Sequence, residues 1–179
     1  MSEVFILADF SGDKATKTTF ELATAGARIG SVTAVVMADT GNGQALAASV
    51  NQGPISNVLI VESADFLNHG VSAIGDALAH LVKEKSPAAL LIASHALGKE
   101  VGARVAVLTN SGIITDAVDV SADITATQLV FGGSTTVHSK VSHGTPIITL
   151  RPNSVEADLT PSIPAIASES AQISDAAKQ

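Results

Sequence analysis

Blocks of apolar residues alternate with helical periodicities over the first 110 positions of the chain. Predominantly apolar runs, typical of strands buried on both faces, lie at Val4–Ala8, Val32–Met37, Val58–Val61 and Ala88–Ala93. After each run, apolar residues recur at helical spacing, which predicts helices over approximately 20–29, 44–51, 66–85 and 99–108. Because strands that alternate with helices across short loops pair in parallel, the pattern predicts an α/β fold.

The pattern changes after Gly112. Extended segments at 113–120, 124–131, 135–141 and 147–150 follow one another, separated by glycines or by Pro146. The loops between them are too short for helical crossovers, so we expect hairpins or short strands that extend the parallel core. The predicted fold is therefore a three-layer α/β/α arrangement with a mostly parallel open sheet, Rossmann-like in topology, and extended or hairpin strands at its carboxyl end.

Arg151 and Pro152 close the part of the chain with regular patterning. The remaining residues are rich in Ser, Ala and Pro without helical or strand periodicity. We therefore predict one α/β domain over residues 1–152 and a flexible linker or tail over 153–179, leading toward a second domain that these 179 residues lack.

Composition excludes several classes of function. The formal net charge is −7 and aromatic residues make up 3% of the chain, with no Trp or Tyr; both facts argue against nucleic-acid binding. The absence of cysteine excludes disulfides and thiolate chemistry. No segment approaches the roughly 20 apolar residues of a membrane span, and the start of the chain lacks a signal-peptide pattern. We expect a cytoplasmic bacterial protein without a membrane span.

Glycines at the predicted strand ends raise the possibility of a nucleotide site. Gly98–Lys99 is only a partial phosphate loop, because Ala93 and Glu100 stand where that motif requires Gly and Ser or Thr. Gly12 and the Gly41–Gly43 segment also follow strands, but no G-x-G-x-x-G does. Two interpretations stay open: Gly98 serves a tight turn, or a nucleotide binds over these strand ends on the strength of topology alone.

Candidate catalytic groups are sparse. The five histidines lie at no recognised metal-ligand spacing, and we predict no metal site; they are His69, His80, His95, His138 and His143. His95 directly follows a buried strand, where it serves either as a structural hydrogen-bonding group or, with Ser94, in a small hydrolase or transferase. Asp116 and Asp119 are three positions apart on an extended segment and point to opposite faces, which disfavours a carboxylate pair. We predict no catalytic residue.

The stretch ALLIASHALGKEVGARVAVLTNSGIITDAVDV resembles the amino-terminal domain of the electron transfer flavoprotein alpha subunit. The positions that carry the resemblance are Gly98, Lys99, Arg104, Ala106, Gly112, Thr115, Asp116 and Asp119. Further on, Leu129–Gly133 is similar to the family's aromatic-(Ala/Gly)-Gly-Asn loop, and Thr149–Pro152 to its closing strand. Ser134 replaces the usual Asn, and Gly102 replaces a small residue or proline; the resemblance covers residues 3–152.

This resemblance implies an electron carrier rather than an enzyme. Family members are alpha–beta heterodimers that hold FAD and pass electrons from dehydrogenases to a quinone-linked oxidoreductase or another acceptor. Most FAD contacts come from the carboxyl-terminal domain of the alpha subunit, so this domain is expected to serve as scaffold and subunit interface. We expect no FAD bound to these residues alone.

The resemblance assigns no flavin contact to any particular residue of this chain. The residues expected to approach the flavin or a partner are a loop and one arginine, namely Phe131, Gly132, Gly133, Ser134 and Arg151. The alternative function is a stand-alone nucleotide-binding domain similar to universal stress proteins, of whose phosphate loop Gly132–Ser134 is a partial version.

Overall fold

Strands and helices alternate through the first two thirds of the chain, as the hydrophobic pattern predicts. The computed structural model describes residues 2–179. Its strands are β1 (Glu3–Leu7), β2 (Phe10–Ser11), β3 (Lys14–Ala15), β4 (Ser31–Ala38), β5 (Ile55–Glu62), β6 (Ala89–Ala93), β7 (Ile113–Val120), β8 (Ala126–Val130), β9 (Thr135–Ser139), β10 (Ile147–Leu150) and β11 (Ala165–Ser170). The helices are α1 (Lys17–Ala27), α2 (Gly43–Ser49), α3 (Asp65–Lys85) and α4 (Ala96–Thr109), with short 3₁₀ turns at Phe131–Gly133 and Asp175–Lys178.

Nine of these strands form one sheet, in the order β11-β5-β4-β1-β6-β10-β7-β8-β9. The seven from β11 to β7 run parallel, and β8 and β9 are antiparallel additions. The chain builds outward from β1 through β4 to β5 and then crosses back to place β6 on the other side of β1. The topological switch point therefore lies between β1 and β6.

Helices cover both faces of the sheet, which confirms the predicted three-layer fold. Helices α1 and α2 pack on one face, where the core includes Ile6, Leu22 and Leu91. Helices α3 and α4 pack on the other, where it includes Phe5, Leu78 and Leu90. Both cores consist mostly of aliphatic side chains and alanine, as the low aromatic content requires.

The succession of extended segments after Gly112 is confirmed, but their order in space differs from their order in the chain. Strands β7, β8 and β9 form an antiparallel meander. Strand β10 then returns and inserts between β6 and β7, parallel to both. Because β10 is buried on both faces, its four apolar or hydroxyl side chains complete the core rather than extend an edge.

The segment 153–179 requires a correction. Its composition predicts a tail without regular structure, yet Ala165–Ser170 forms strand β11, which pairs with β5 over six residues. Val155 and Ala177 are buried against the domain. Most other side chains of the segment are exposed. The sequence therefore has no hydrophobic periodicity from which this strand could be predicted. Its role as a connection toward a further domain stays a prediction.

Candidate functional site at the carboxyl ends of the strands

The switch point brings the ends of β1 and β6 together, and with them Asp9 and His95. Nδ1 of His95 accepts a hydrogen bond from the amide of Gly98 at 3.0 Å, and its Nε2 lies 3.0 Å from Oδ1 of Asp9. A neutral imidazole with its proton on Nε2 satisfies both contacts. The hydroxyl of Thr16 donates to the other carboxylate oxygen of Asp9 at 2.7 Å. The geometry favours the structural interpretation of His95, as the cap that starts α4 at Ala96.

Position 98 requires glycine because two backbone segments approach each other closely there. A Cβ built at this position would lie 2.0 Å from the carbonyl oxygen of Ala93. The first turn of α4 therefore presses against the end of β6, and only glycine fits there. Since this space is filled by the chain itself, the tight-turn interpretation of Gly98 is favoured over a phosphate loop.

A second polar network joins the carboxyl ends of β6 and β10 to the middle of β7. The hydroxyl of Ser94 donates to Oδ1 of Asp116 at 2.7 Å, and the buried hydroxyl of Thr149 donates to Ser94 at 2.9 Å. Thr149 in turn accepts from the amide of Asp116 at 3.1 Å, and Nζ of Lys99 lies 3.4 Å from the carboxylate. The Ser94 hydrogen bond, with the charge of Lys99, holds the pKa of Asp116 below its ordinary value.

Asp116 and Asp119 bind different partners, so they form no carboxylate pair. Asp116 has a positive φ of 58° and lies beside a register shift in β7. Asp119 forms an ion pair with Arg28, the residue that directly follows α1, and the Arg28 guanidinium also donates to the carbonyl of Val120 at 3.1 Å. The two carboxylates hold separate elements in place, which is a structural role.

Arg151 follows β10 at the carboxyl end of the sheet. Its amide donates to the carbonyl of Ala117 at 2.8 Å, and the residue is exposed. Its charge contributes to the lowered pKa of Asp116, after the contributions of Ser94 and Lys99. Arg151 therefore lies beside the Ser94–Thr149–Asp116 network rather than next to the predicted loop.

The Phe131–Gly133 turn lies toward the opposite end of the parallel strands. Gln128 of β8 pairs with Ala117 of β7, and β8 runs from there toward the residues at which β7 begins. Phe131 is three residues further along, about 10 Å at the usual strand rise. The structure thus separates the two parts of the predicted site, and whether either contacts a flavin or a partner stays a prediction.

The turn itself presents an unpaired aromatic side chain. Phe131 is 84% exposed, and its φ of 51° lies in the left-handed region, which is uncommon for a bulky residue. Gly132 and Gly133 also have positive φ, and the hydroxyl of Ser134 donates to the carbonyl of Phe131 at 2.9 Å. An exposed ring on a constrained hairpin is a geometry suited to contact with another surface.

The cavity at the switch point is small and largely apolar. It measures about 180 Å³ and lies between the ends of β1 and β6, with walls that include Leu7, Met37 and Leu97 beside Asp9 and His95. Pockets for drug-sized ligands are typically about 300–1,000 Å³. In residues 2–179, no group of three or more potential metal-ligating side chains converges on one point. None of the helices described is both long and apolar enough to cross a membrane.

Sequence reasoning missed Thr149 and the network that it completes. The available signal was a lone hydroxyl in the otherwise apolar run Ile147–Leu150, because a buried hydroxyl requires hydrogen-bond partners. Its partners, Ser94 and Asp116, are 55 and 33 positions away along the chain. Nothing in their spacing indicates that they meet.

The parallel sheet, its central switch point and its two helical layers define a domain of nucleotide-binding-type topology. The family model for the electron transfer flavoprotein domain matches residues 4–179, so the chain belongs to that family. The chain is 32% identical over 157 residues to the electron transfer flavoprotein subunit alpha of Mycobacterium leprae, a match that covers 88% of this chain and 49% of that protein. It is 24% identical over 163 residues to the Bacillus subtilis subunit alpha, covering 87% and 49% respectively.

The comparisons confirm the resemblance to the electron transfer flavoprotein alpha subunit that is seen in the sequence. The Mycobacterium tuberculosis H37Rv subunit alpha gives the same result, at 32% identity over 158 residues. The chain spans about half the length of the curated relatives that it matches first. Proteins of this family are electron carriers and flavoproteins, which sets the context for the site.

Proposed function

We propose that this chain is the amino-terminal domain of an electron transfer flavoprotein alpha-type subunit, and that it serves as scaffold and subunit interface for a beta-type partner. The carrying observation is the match to alpha subunits over 88% of the chain but only about half of their length. The full heterodimer would hold FAD and carry electrons from dehydrogenases to a quinone-linked oxidoreductase in the bacterial cytoplasm.

The residues at the strand ends do not by themselves form a cradle for FAD. His95 already caps the amide of Gly98, and the carbonyl of Ala93 fills the space beside that glycine. Asp116 accepts a hydrogen bond from the Ser94 hydroxyl and lies beside Lys99. Because these groups satisfy one another, they support a scaffold role in which the flavin contacts come from elsewhere in the heterodimer.

Two measurements test the proposal. Tagged full-length alpha-type chain, co-expressed with the beta-type subunit of its own source organism, is expected to purify as an equimolar yellow complex. The 179-residue chain alone, incubated with FAD and passed through gel filtration, is expected to emerge without flavin absorbance. If no complex forms, the subunit-interface role is wrong; if the short chain retains flavin, the scaffold role is wrong.

Calorimetry separates this proposal from the stand-alone nucleotide sensor. The scaffold role predicts no heat of binding when ATP or AMP is titrated into the 179-residue chain at micromolar concentrations. Micromolar affinity for either nucleotide would favour the sensor, and the switch-point cavity beside Asp9 and His95 would then be the first site to examine.

A further inference from the structure

Residues 153–178 wrap around the domain, and we call them the strap. The strap leaves β10 and crosses α1, where the amide of Asn153 donates to the buried carboxylate of Glu21 at 2.8 Å. It then passes the loop before β5, where the amide of Gly53 donates to the carbonyl of Thr160 at 2.8 Å. It continues as β11 along the outer edge of β5 and ends on α3.

The strap buries little apolar surface. Only Val155 and Ala177 among its residues are buried apolar side chains. Three more apolar residues are partly buried against the cores, namely Ala157, Ala171 and Ile173. Five of the six residues of β11 are exposed. Because apolar burial is the main source of folding free energy, the strap is held with much less of it than the strands at the centre of the sheet.

Polar contacts hold the carboxyl-terminal half of the strap in place. Glu169 pairs with Lys85 at 2.7 Å and Lys178 with Asp65 at 3.1 Å, but these side chains are about one third exposed, and such pairs contribute little. The third contact, between Ser174 of the strap and Asp76 of α3, is better buried, because the side chain of Asp76 is only 7% exposed.

Asp76 joins the strap to both helices of its face. Its Oδ1 accepts a hydrogen bond from Nε of Arg104 on α4 at 2.8 Å, and Nη2 of the same guanidinium lies 2.8 Å from this oxygen in an ion pair. Its Oδ2 accepts from the amide of Ser174 at 3.2 Å and also from the Ser174 hydroxyl. The same hydroxyl accepts from the amide of Ala177 at 3.3 Å, which starts the final 3₁₀ turn. One carboxylate therefore anchors the strap and ties α3 to α4.

We propose that the carboxyl-terminal half of the strap, residues 165–178, opens as a unit while the rest of the domain stays folded, and that the Ser174–Asp76 contact is its latch. Strand β5 keeps its parallel pairing with β4 and its packing under α2 when the strap is released. Opening uncovers the backbone edge of β5. It also removes one wall of a cavity of about 270 Å³, which Ala165–Ala167 of the strap line together with Phe5, Thr33 and Asn57. The strap is thus a detachable cover for this edge of the sheet.

Hydrogen exchange of the full 179-residue chain tests this device. In the wild type, amides of residues 165–178 and those of β5 that bond to them are expected to exchange at least tenfold faster than amides of β1 and β6. A Ser174→Ala variant removes the hydroxyl and leaves the Asp76–Arg104 pair intact. It is expected to accelerate exchange of the strap by about tenfold, since hydrogen bonds to charged groups are the stronger ones, with β1 and β6 unchanged.

Ser154→Ala is the matched control, because the Ser154 hydroxyl donates only to the nearby carbonyl of Arg151 at 2.7 Å. It is expected to leave exchange of residues 165–178 at the wild-type rate. The proposal is wrong if the strap of the wild type exchanges at the rate of β1 and β6. It is also wrong if Ser174→Ala leaves the strap unchanged or accelerates β1 and β6 by the same factor.

Discussion

The hydroxyl of Thr149 allows a quantitative test of the network at the strand ends. Thr149→Val keeps the branched shape of the side chain but removes the acceptor for the amide of Asp116 and the donor to Ser94. Thr149 is fully buried, so water does not replace these bonds. An unsatisfied buried amide costs about 1–3 kcal/mol, and we expect a loss of about 2 kcal/mol in the free energy of unfolding.

Urea unfolding followed by far-ultraviolet circular dichroism measures this loss, since the chain has no Trp or Tyr to serve as a strong fluorescent probe. The midpoint should fall with the m-value unchanged. For a domain of this size, the same loss lowers Tm by about 4–8 °C. Thr135→Val is the control, because Thr135 is exposed on β9 and its replacement should stay within about 0.5 kcal/mol.

A double-mutant cycle shows whether the hydroxyls act together. Ser94→Ala removes the donor to Asp116, and combining it with Thr149→Val should cost less than the sum of the single losses by about 0.5 kcal/mol or more. Independent, additive losses would refute the network, and so would a Thr149→Val variant as stable as the Thr135→Val control.

Three further predictions concern the turn, the start of α4 and the latch. Phe131→Ala should change the free energy of unfolding by less than about 0.5 kcal/mol, since the ring is 84% exposed. The same variant should bind a beta-type subunit at least tenfold more weakly in calorimetry. An unchanged affinity would show that Phe131 is not an anchor of the interface. Gly98→Ala should lower the free energy of unfolding by roughly 3 kcal/mol, measured with urea, because the added Cβ meets the carbonyl of Ala93. Gly12→Ala is the comparison variant: its Cβ meets no other atom and is strained only by the positive φ, so it should lower the free energy of unfolding by about 1 kcal/mol. Burial raises the pKa of Asp76, but hydrogen bonds from Ser174 and Arg104 outweigh it and lower that pKa below the ordinary 3.8. The ionised carboxylate therefore stabilises the fold above pH 3.8, and this contribution is lost as the carboxylate is protonated at lower pH. We expect the difference in the free energy of unfolding between the wild type and Asp76→Asn to narrow between about pH 5 and pH 2. A difference that stays constant over this range would contradict the role assigned to Asp76.

Local patterning was sufficient to predict the alternating part of the fold. Runs such as Val32–Met37 and Ala88–Ala93 are too apolar for a surface strand, and the spacing after each run allows only a helix. The observed ends of the helices differ from the predicted ends where capping hydrogen bonds determine them. Helix α4 begins at Ala96 rather than near Lys99, because the side chain of His95 caps the amide of Gly98.

The position of β10 was not predictable from patterning. Its four residues indicate a buried strand, but burial on both faces is equally possible at several places in a parallel sheet. Strand β10 fits between β6 and β7 because it pairs in parallel with both of them. In that position the hydroxyl of Thr149 donates a hydrogen bond to the hydroxyl of Ser94. These constraints arise from residues distant in the chain, which a single sequence does not connect.

Strand β11 shows why composition misjudged the end of the chain. A strand at the edge of a sheet gains most of its stability from backbone hydrogen bonds to one neighbour, and those bonds leave no trace in side-chain hydrophobicity. The sequence AIASES is therefore compatible both with a linker and with an edge strand. The difference lies in its partners, because β5 offers an open parallel edge and Asp76 holds Ser174 beyond the end of β11. Backbone pairing and a few specific side-chain contacts together order this segment. Ser174→Ala removes one of those contacts and leaves the pairing in place, so we expect it to raise the population of the open strap and not to release it completely.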